Sequence, residues 1–347
     1  IFNLSKSLNI IKSYYKAFKF ILSLFLYNEG KPPYAKIEIK NYNGINDDQT
    51  PVKIIYPINE TNKVAILYPG ASQAAEEHPK MDMLGRLLAN IGFKVYIPRI
   101  PPLKKLNISE INVRWFTAFY KWIINHEKVD PQKIMMTGIS YGGGIMLKSL
   151  LDSRENLEPP KTILTYGTYC NGKSMLHFLL NGEIIINEKK YTVKPHEWGL
   201  IVIFQNFLKN LNVDWNYKNL LEAIQLRIDE KIEESKIYGN KLPSFQKNIY
   251  NSIIDSNPNN TVKELTNKMI NNEKESLENL SPKYWADKID NKIFIIHGAN
   301  DSMVPYTESI QLANILPDSE LFISYLYEHN EISTNRSKFF ILKEIFR

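Results

Sequence analysis

The sequence predicts an α/β protein, a mostly parallel eight-stranded sheet with helices on both faces, interrupted once by a mainly helical insertion. Three observations carry that expectation. Short apolar runs alternate with amphipathic helical stretches along most of the chain. The later runs are apolar throughout, as strands covered on both faces must be. From about Asn171 to Tyr284 the alternation stops, over a length too great for a simple loop.

In chain order, the first element is helical. Leu4, Leu8, Ile11, Tyr15, Phe18, Leu22 and Phe25 recur at steps of three and four, with Lys6, Lys12 and Lys16 opposite. The uncharged stretch Phe20 to Tyr27 is far below the ~20 residues a spanning helix requires. No small-residue cleavage site follows, so no cleavable signal peptide is expected. Two readings of residues 4–26 stay open: a helix docked on its own protein, or a basic amphipathic helix on a membrane surface. The corresponding locations are cytoplasmic or peripheral to a membrane.

After Gly30-Lys31-Pro32-Pro33 the pattern changes to strands, near Lys36–Lys40, Val52–Tyr56, Val64–Tyr68, Val95–Pro98, Ile134–Thr137, Thr162–Tyr166, Ile293–His297 and Leu321–Tyr325. Helical patterns lie at Met81–Ile91, Ser109–His126, Tyr141–Leu151 and Tyr306–Leu316. The first two strands, joined through Gly44 without a helix, read as an antiparallel start. Within the interruption a small hairpin is expected, Ile184–Ile186 with Tyr191–Val193. Helical spacing links Leu200, Ile203, Phe204, Phe207, Leu208 and Leu211, and again Leu221, Ile224, Ile228 and Ile232. Thr261 followed by Glu264 reads as a capping box for a third helix. The expected organisation is therefore an N-terminal helix (1–30), a core (31–170 and 285–347) and a cap or lid (171–284).

Composition excludes several classes. At 347 residues with 44% hydrophobic and 23% charged residues the chain is that of a globular protein. The net charge of +6 comes from scattered lysines, which does not describe a nucleic-acid groove. The single cysteine, Cys170, rules out an intrachain disulfide and reads as a small buried residue. There is no H-E-x-x-H, cysteine cluster, dinucleotide fingerprint or phosphate loop, so no metal or cofactor is expected. The oligomeric state is left open.

The chemistry concentrates in Ile134 to Gly144, where a short buried strand turns straight into a helix. At the turn stands Gly138-Ile139-Ser140-Tyr141-Gly142, a G-x-S-x-G. A serine held on such a turn needs small neighbours two residues away on each side, because a Cβ there would meet the crossing backbone. The following helix aims its N-terminus, beginning with the Tyr141 amide, at the position where an oxyanion would develop. Ser140 is thus a candidate nucleophile. The bland alternative is a glycine-rich turn without chemistry.

With these features the chain resembles the α/β-hydrolase superfamily over roughly Tyr34 to Cys170 and Tyr284 to Arg347. The resemblance implies eight strands in this order, a nucleophile after the fifth and a lid after the sixth. It implies that Asp301, in His297-Gly298-Ala299-Asn300-Asp301-Ser302-Met303-Val304-Pro305, is the acid, since this looks like the family's H-G-x-x-D-x-x-V-P loop. No carboxylate follows the sixth strand in Gly167 to Asn171, and Asp290 and Asp318 are poor alternatives by position. It implies that His329, the one of six histidines that follows Asp301, is the general base. His297 reads as structural, His126 ends a helix, His177 and His196 fall in the cap, and His78 follows the third-strand loop, where it could approach the site or serve at the surface. The oxyanion hole would use the backbone amides of Tyr141 and of Ala71 beside Gly70, with Ser72 the second choice. Pro69-Gly70 stands where the family usually has His-Gly. Gly138, Gly142 and Gly70 are the motif glycines.

The implied activity is that of a serine hydrolase cleaving a carboxylic ester through an acyl-enzyme, with a small-molecule ester as substrate. The apolar cap leans towards a lipid-like acyl group. The alternatives are a serine peptidase or amidase on the same fold, and a non-catalytic binding protein that keeps the fold alone.

Overall fold

The computed structural model describes residues 4–186 and 188–325. Eight strands form one sheet: β1 (Lys36–Asn43), β2 (Gln49–Tyr56), β3 (Val64–Tyr68), β4 (Lys94–Pro98), β5 (Ile134–Ile139), β6 (Thr162–Tyr166), β9 (Ile293–Gly298) and β10 (Ser319–Ser324). Their order is β1-β2-β4-β3-β5-β6-β9-β10. β2 runs antiparallel to both β1 and β4, and every later pairing is parallel. The antiparallel start and the parallel remainder follow from the connections, since β1 and β2 are joined by a short turn while each parallel step needs a crossover. The small hairpin of β7 (Glu183–Ile186) and β8 (Lys189–Thr192) pairs apart from the sheet.

Strand β3 shows how one apolar run serves two faces. All five of its residues are buried. Val64, Ile66 and Tyr68 point into a core shared with α4 (Ile111–Asn125) and α5 (Tyr141–Ser153), where Phe116, Phe119 and Ile145 are fully buried. Ala65 and Leu67 point the other way, onto Met81, Leu88 and Ala89 of α2 (Pro79–Asn90). Two-residue periodicity thus assigns alternate side chains to alternate layers.

Between β6 and β9 the chain builds a third apolar cluster of its own. It contains α6 (Gly172–Asn181), the β7–β8 hairpin, α7 (Trp198–Phe207), α8 (Lys218–Ile228), α9 (Ile232–Asn240), α10 (Ser244–Ile254), α11 (Asn260–Asn272) and α12 (Lys274–Leu280). Phe178, Phe204, Ile224, Ile249 and Val262 are at its centre. The remaining helices are α1 (Leu4–Asn28), the single turn α3 (Pro101–Lys104) and α13 (Thr307–Ile315), the crossover between β9 and β10.

Three local expectations are corrected. Leu221 to Ile232 is not one helix: α8 stops at Ile228, Glu230 adopts a left-handed φ of 62°, and α9 restarts at Ile232. The helical spacing continues by coincidence across a break that a left-handed residue imposes. Leu211 likewise lies beyond α7, after a short 3-10 turn. The start of α11 is capped by Asn259, whose Oδ1 accepts from the Val262 amide at 2.9 Å, rather than by Thr261. Asn is at least as good an N-cap as Thr, and a cap of this kind contributes about 1 kcal/mol.

The first helix does dock, but not through the stripe picked out by its periodicity. Lys19 Nζ donates to the Asn90 carbonyl at 2.6 Å, Asn90 Nδ2 donates to Ser23 Oγ at 2.7 Å, and Leu24 is buried. Ile11, Tyr15, Phe18, Leu22 and Phe25 remain exposed on the opposite side.

Candidate active site

Ser140 occupies the turn between β5 and α5 with φ 52° and ψ −125°. For a residue with a Cβ that conformation is strained by roughly 1–3 kcal/mol, and it persists only where the surroundings dictate it. Here they do. Its amide donates to the Tyr166 carbonyl of β6 at 2.7 Å, and its carbonyl accepts from the Gly143 amide at 3.0 Å and from Thr168 Oγ1 at 3.2 Å. The glycines explain how the turn closes. A Cβ on Gly138 would fall 2.6 Å from Gly143 Cα, and one on Gly142 would collide with the Pro69 carbonyl.

The loop after β3 reaches the same point. A Cβ on Gly70 would lie 3.2 Å from Ser140 Cβ, so that loop abuts the serine. The Ser72 amide donates to the Gly70 carbonyl at 2.9 Å and is thereby occupied. The amides of Ala71 and Tyr141 have no such backbone acceptor among the described residues. Two unengaged N–H groups thus flank Ser140 from different elements, the arrangement an oxyanion requires. The Tyr141 hydroxyl is held by Asn112 Nδ2 at 3.1 Å, and its ring stacks against Tyr169, which fixes the first turn of α5. Burial pushes the Tyr141 phenol far above its ordinary range, so it stays protonated.

Asp301 follows β9 and is buried. Its Oδ1 accepts from the amides of Met303 and Val304, both at 2.8 Å, which fixes the carboxylate against the loop. Met303 and Val304 line the same cavity as Ser140. His297 Nε2 lies 3.3 Å from Asp301 Oδ2 and 2.8 Å from the Val304 carbonyl, while Nδ1 meets Ser309 Oγ at 2.6 Å. With no exposed surface and both ring nitrogens engaged, His297 braces the loop and has no path to Ser140's cavity. His329, the predicted base, lies outside the described residues, so its position relative to Ser140 and Asp301 is not part of this geometry.

The cavity above Ser140 has a volume of about 430 Å³. Its floor is Gly70, Ala71, Ser140 and Tyr141, and its wall is mostly apolar: Met175, Leu176 and Leu179 from α6, Val202 and Ile203 from α7, and Leu277 from α12. That is the size and character of a small-ligand site. The inserted segment is tied to the loops after β3 and β9. Trp198 Nε1 donates to the Ala71 carbonyl at 3.1 Å, and the His196 amide donates to the Ser302 carbonyl at 2.9 Å.

One feature was left open by the sequence and two were missed. His78 lines the cavity, the nearer of the two placements open to it, and so does His196, which the sequence places only in the cap. Each uses Nδ1 to accept a backbone amide two residues on, from Lys80 and from Trp198, both at 3.1 Å. An Nδ1 that accepts leaves the proton of neutral imidazole on Nε2. Burial, and then Lys80, holds His78 below the usual imidazole range. The proline after His78 and the Glu-Trp pair after His196 mark helix starts, which was the available signal. The third is Glu308 of α13. It brings a buried carboxylate to the turn after β6, accepting from the Cys170 amide at 2.9 Å and the Asn171 amide at 2.8 Å. No local pattern could reveal it, because the crossover supplies it from 137 residues away. Burial raises its carboxyl above the ordinary range. The neighbouring Cys170 is buried as expected, and its thiol is pushed up to about 12, chiefly by burial.

No curated protein matches this chain in sequence. The BD-FAE family matches residues 237–316, a stretch that runs from α9 to α13 and includes Asp301. In structure the chain is similar to an acylaminoacyl peptidase solved in complex with Z-Gly-Gly-Phe-chloromethyl ketone. The TM-score is 0.50 at 12% identity, over 91% of this chain and 41% of that one. The uncomplexed acylaminoacyl peptidase of Pyrococcus horikoshii gives a TM-score of 0.50 at 12% identity, over 92% and 42%. An esterase from Exiguobacterium antarcticum gives a TM-score of 0.45 at 13% identity, over 89% and 99%. The chain spans about two fifths of the length of those peptidase chains. At such identities the likeness is one of fold.

Proposed function

The chain has the α/β-hydrolase fold, and we propose that it is a serine hydrolase that cleaves a carboxylic ester with an apolar acyl group. The observation that carries this reading is Ser140 at φ 52°, on the floor of an apolar cavity between two unengaged amides. A strained strand-to-helix turn that presents a serine to a cavity supports a nucleophilic role for it.

In this reading Ser140 Oγ attacks the ester carbonyl carbon while His329 takes the hydroxyl proton. The carbonyl oxygen, now an oxyanion, accepts from the Tyr141 and Ala71 amides, each worth a factor of ~10² to 10³ in rate. His329 returns the proton to the departing alkoxide, which leaves as the alcohol. Water, deprotonated by the same imidazole, then attacks the acyl carbon, and the serine oxygen leaves with that proton. Asp301 fixes the imidazole tautomer and stabilises the imidazolium between the two transfers. The insertion acts as a cap, and its α6 and α7 wall receives the acyl chain.

The test is labelling with a fluorophosphonate, with the adduct located by mass spectrometry. Labelling at Ser140 that is abolished in Ser140→Ala and weakened in His329→Ala supports the reading. Folded protein that does not label, with or without detergent, would overturn it. The likeness to acylaminoacyl peptidases keeps an amidase on the same site as a second reading. Matched ester and anilide substrates separate the two, and faster turnover of the anilide would favour the amidase.

A further inference from the structure

Pro69 and Gly70 leave the loop after β3 little to hold itself by, since proline has no amide hydrogen and glycine no side chain. The proposed oxyanion hole nevertheless needs the Ala71 amide held in one direction beside Ser140. That N–H lies in the same trans peptide plane as the Gly70 carbonyl and points the opposite way. The Gly70 carbonyl accepts from the Ser72 amide at 2.9 Å, and the Ser72 amide shares the next plane with the Ala71 carbonyl. Two rigid planes are thereby coupled. Whatever holds the Ala71 carbonyl also sets the direction of the Ala71 N–H.

The holder comes from the insertion. Among the described residues the Ala71 carbonyl accepts only from Trp198 Nε1, at 3.1 Å. Trp198 opens α7 and is itself firmly placed. Its amide donates to His196 Nδ1 at 3.1 Å, and its ring packs against the insertion's apolar cluster. On either side of it, the His196 amide is fixed on the Ser302 carbonyl at 2.9 Å, and Glu197 accepts from Arg227 of α8 at 3.1 Å. We propose that Trp198 is a positioning residue through which the insertion completes the oxyanion hole, an inference that rests on the proposed serine-hydrolase reading. Ser140 then has two aligned donors only while the insertion is seated on the core. An insertion that lifts takes the indole with it and leaves the Ala71 amide unaligned.

The experiment is steady-state hydrolysis of an ester series from acetyl to octanoyl by wild type and Trp198→Phe, which keeps an aromatic ring and removes the N–H. The variant should lose about tenfold in kcat at every chain length, short of the ~10² to 10³ that losing a donor outright costs, with KM for the acetyl ester within about twofold. Inhibition by a short alkyl trifluoromethyl ketone, whose adduct with Ser140 puts an oxyanion in the hole, should weaken by the same factor. If phenylalanine unfolds the insertion, 3-benzothienylalanine at position 198, which keeps the bicyclic shape without the N–H, should give the same losses. An unchanged kcat, or a loss confined to long acyl esters, overturns the proposal and leaves Trp198 as cavity wall alone. Wild type that labels at Ser140 with fluorophosphonate while the variant turns over normally removes this inference and spares the hydrolase reading. Wild type that does not label removes both.

Discussion

The turn at Ser140 and the α6–α7 wall face one cavity, yet they are held by different means. At the turn the backbone itself is the packing material. Gly138 and Gly142 lie so close to backbone that a methyl group has nowhere to go, and on Gly143 it would meet the Thr168 side chain. Along the wall, Leu179, Val202 and Ile203 are backed by the insertion's own core and meet open volume on the cavity side. The turn therefore tolerates almost no change, while the wall can change side-chain size and remain a wall. On the proposed reading, one region determines whether a reaction occurs and the other determines on what.

Substitutions can break that contrast. The largest effect is expected at Ser140, where Ser140→Ala should lower ester turnover by a factor of ~10⁴ to 10⁶. Ser140→Gly should be equally inactive but raise unfolding stability by about 1 kcal/mol, because glycine accepts φ 52° without strain. A urea midpoint no higher than wild type would show that the turn is not strained. Next, Gly142→Ala should cost roughly 3 kcal/mol of stability, since its methyl meets backbone at Pro69 rather than a movable side chain. An alanine there that unfolds like wild type would remove the distinction between the two regions. On the wall, Val202→Phe should shift stability by no more than about 1 kcal/mol, because the added ring enters the cavity. It should lower kcat/KM about tenfold for long acyl esters and little for acetyl esters, measured across a chain-length series.

The smallest effect concerns pH. Burial depresses the His78 pKa below its ordinary 6.5, so folding favours the neutral ring. The stability this contributes is present in full above 6.5 and is lost as pH falls through the lower folded value. His78→Asn keeps an acceptor for the Lys80 amide and should flatten that acid-side slope of the urea midpoint, with little change at neutral pH.

The same contrast governs what was legible in the sequence. The sheet was legible because apolar runs such as Val64–Tyr68 can be buried on two faces and fit little else. The turn was legible because steric closure demands glycine at set offsets from Ser140. Features that depend on long-range approach were not. Glu308 reaches the turn after β6 through a crossover, and His78 enters the cavity only once α2 packs on the sheet. In α1 the three- and four-residue spacing marked a helix correctly but pointed to the wrong docking face. Periodicity reports that a face is apolar, and nothing local states what covers it.

Trp198 has a consequence of another kind. Of the chain's five tryptophans, Trp115, Trp122 and Trp285 are in the core of the sheet and Trp215 packs edge-on against Tyr217 and Phe245. Only Trp198 borders the cavity, with its indole N–H on the Ala71 carbonyl. The molecule therefore carries its own optical gauge beside Ser140. An apolar ligand that enters should displace water from that indole and shift its emission to the blue, and Trp198→Phe should silence the response. Occupancy can then be read on unlabelled protein, before any bond is made or broken.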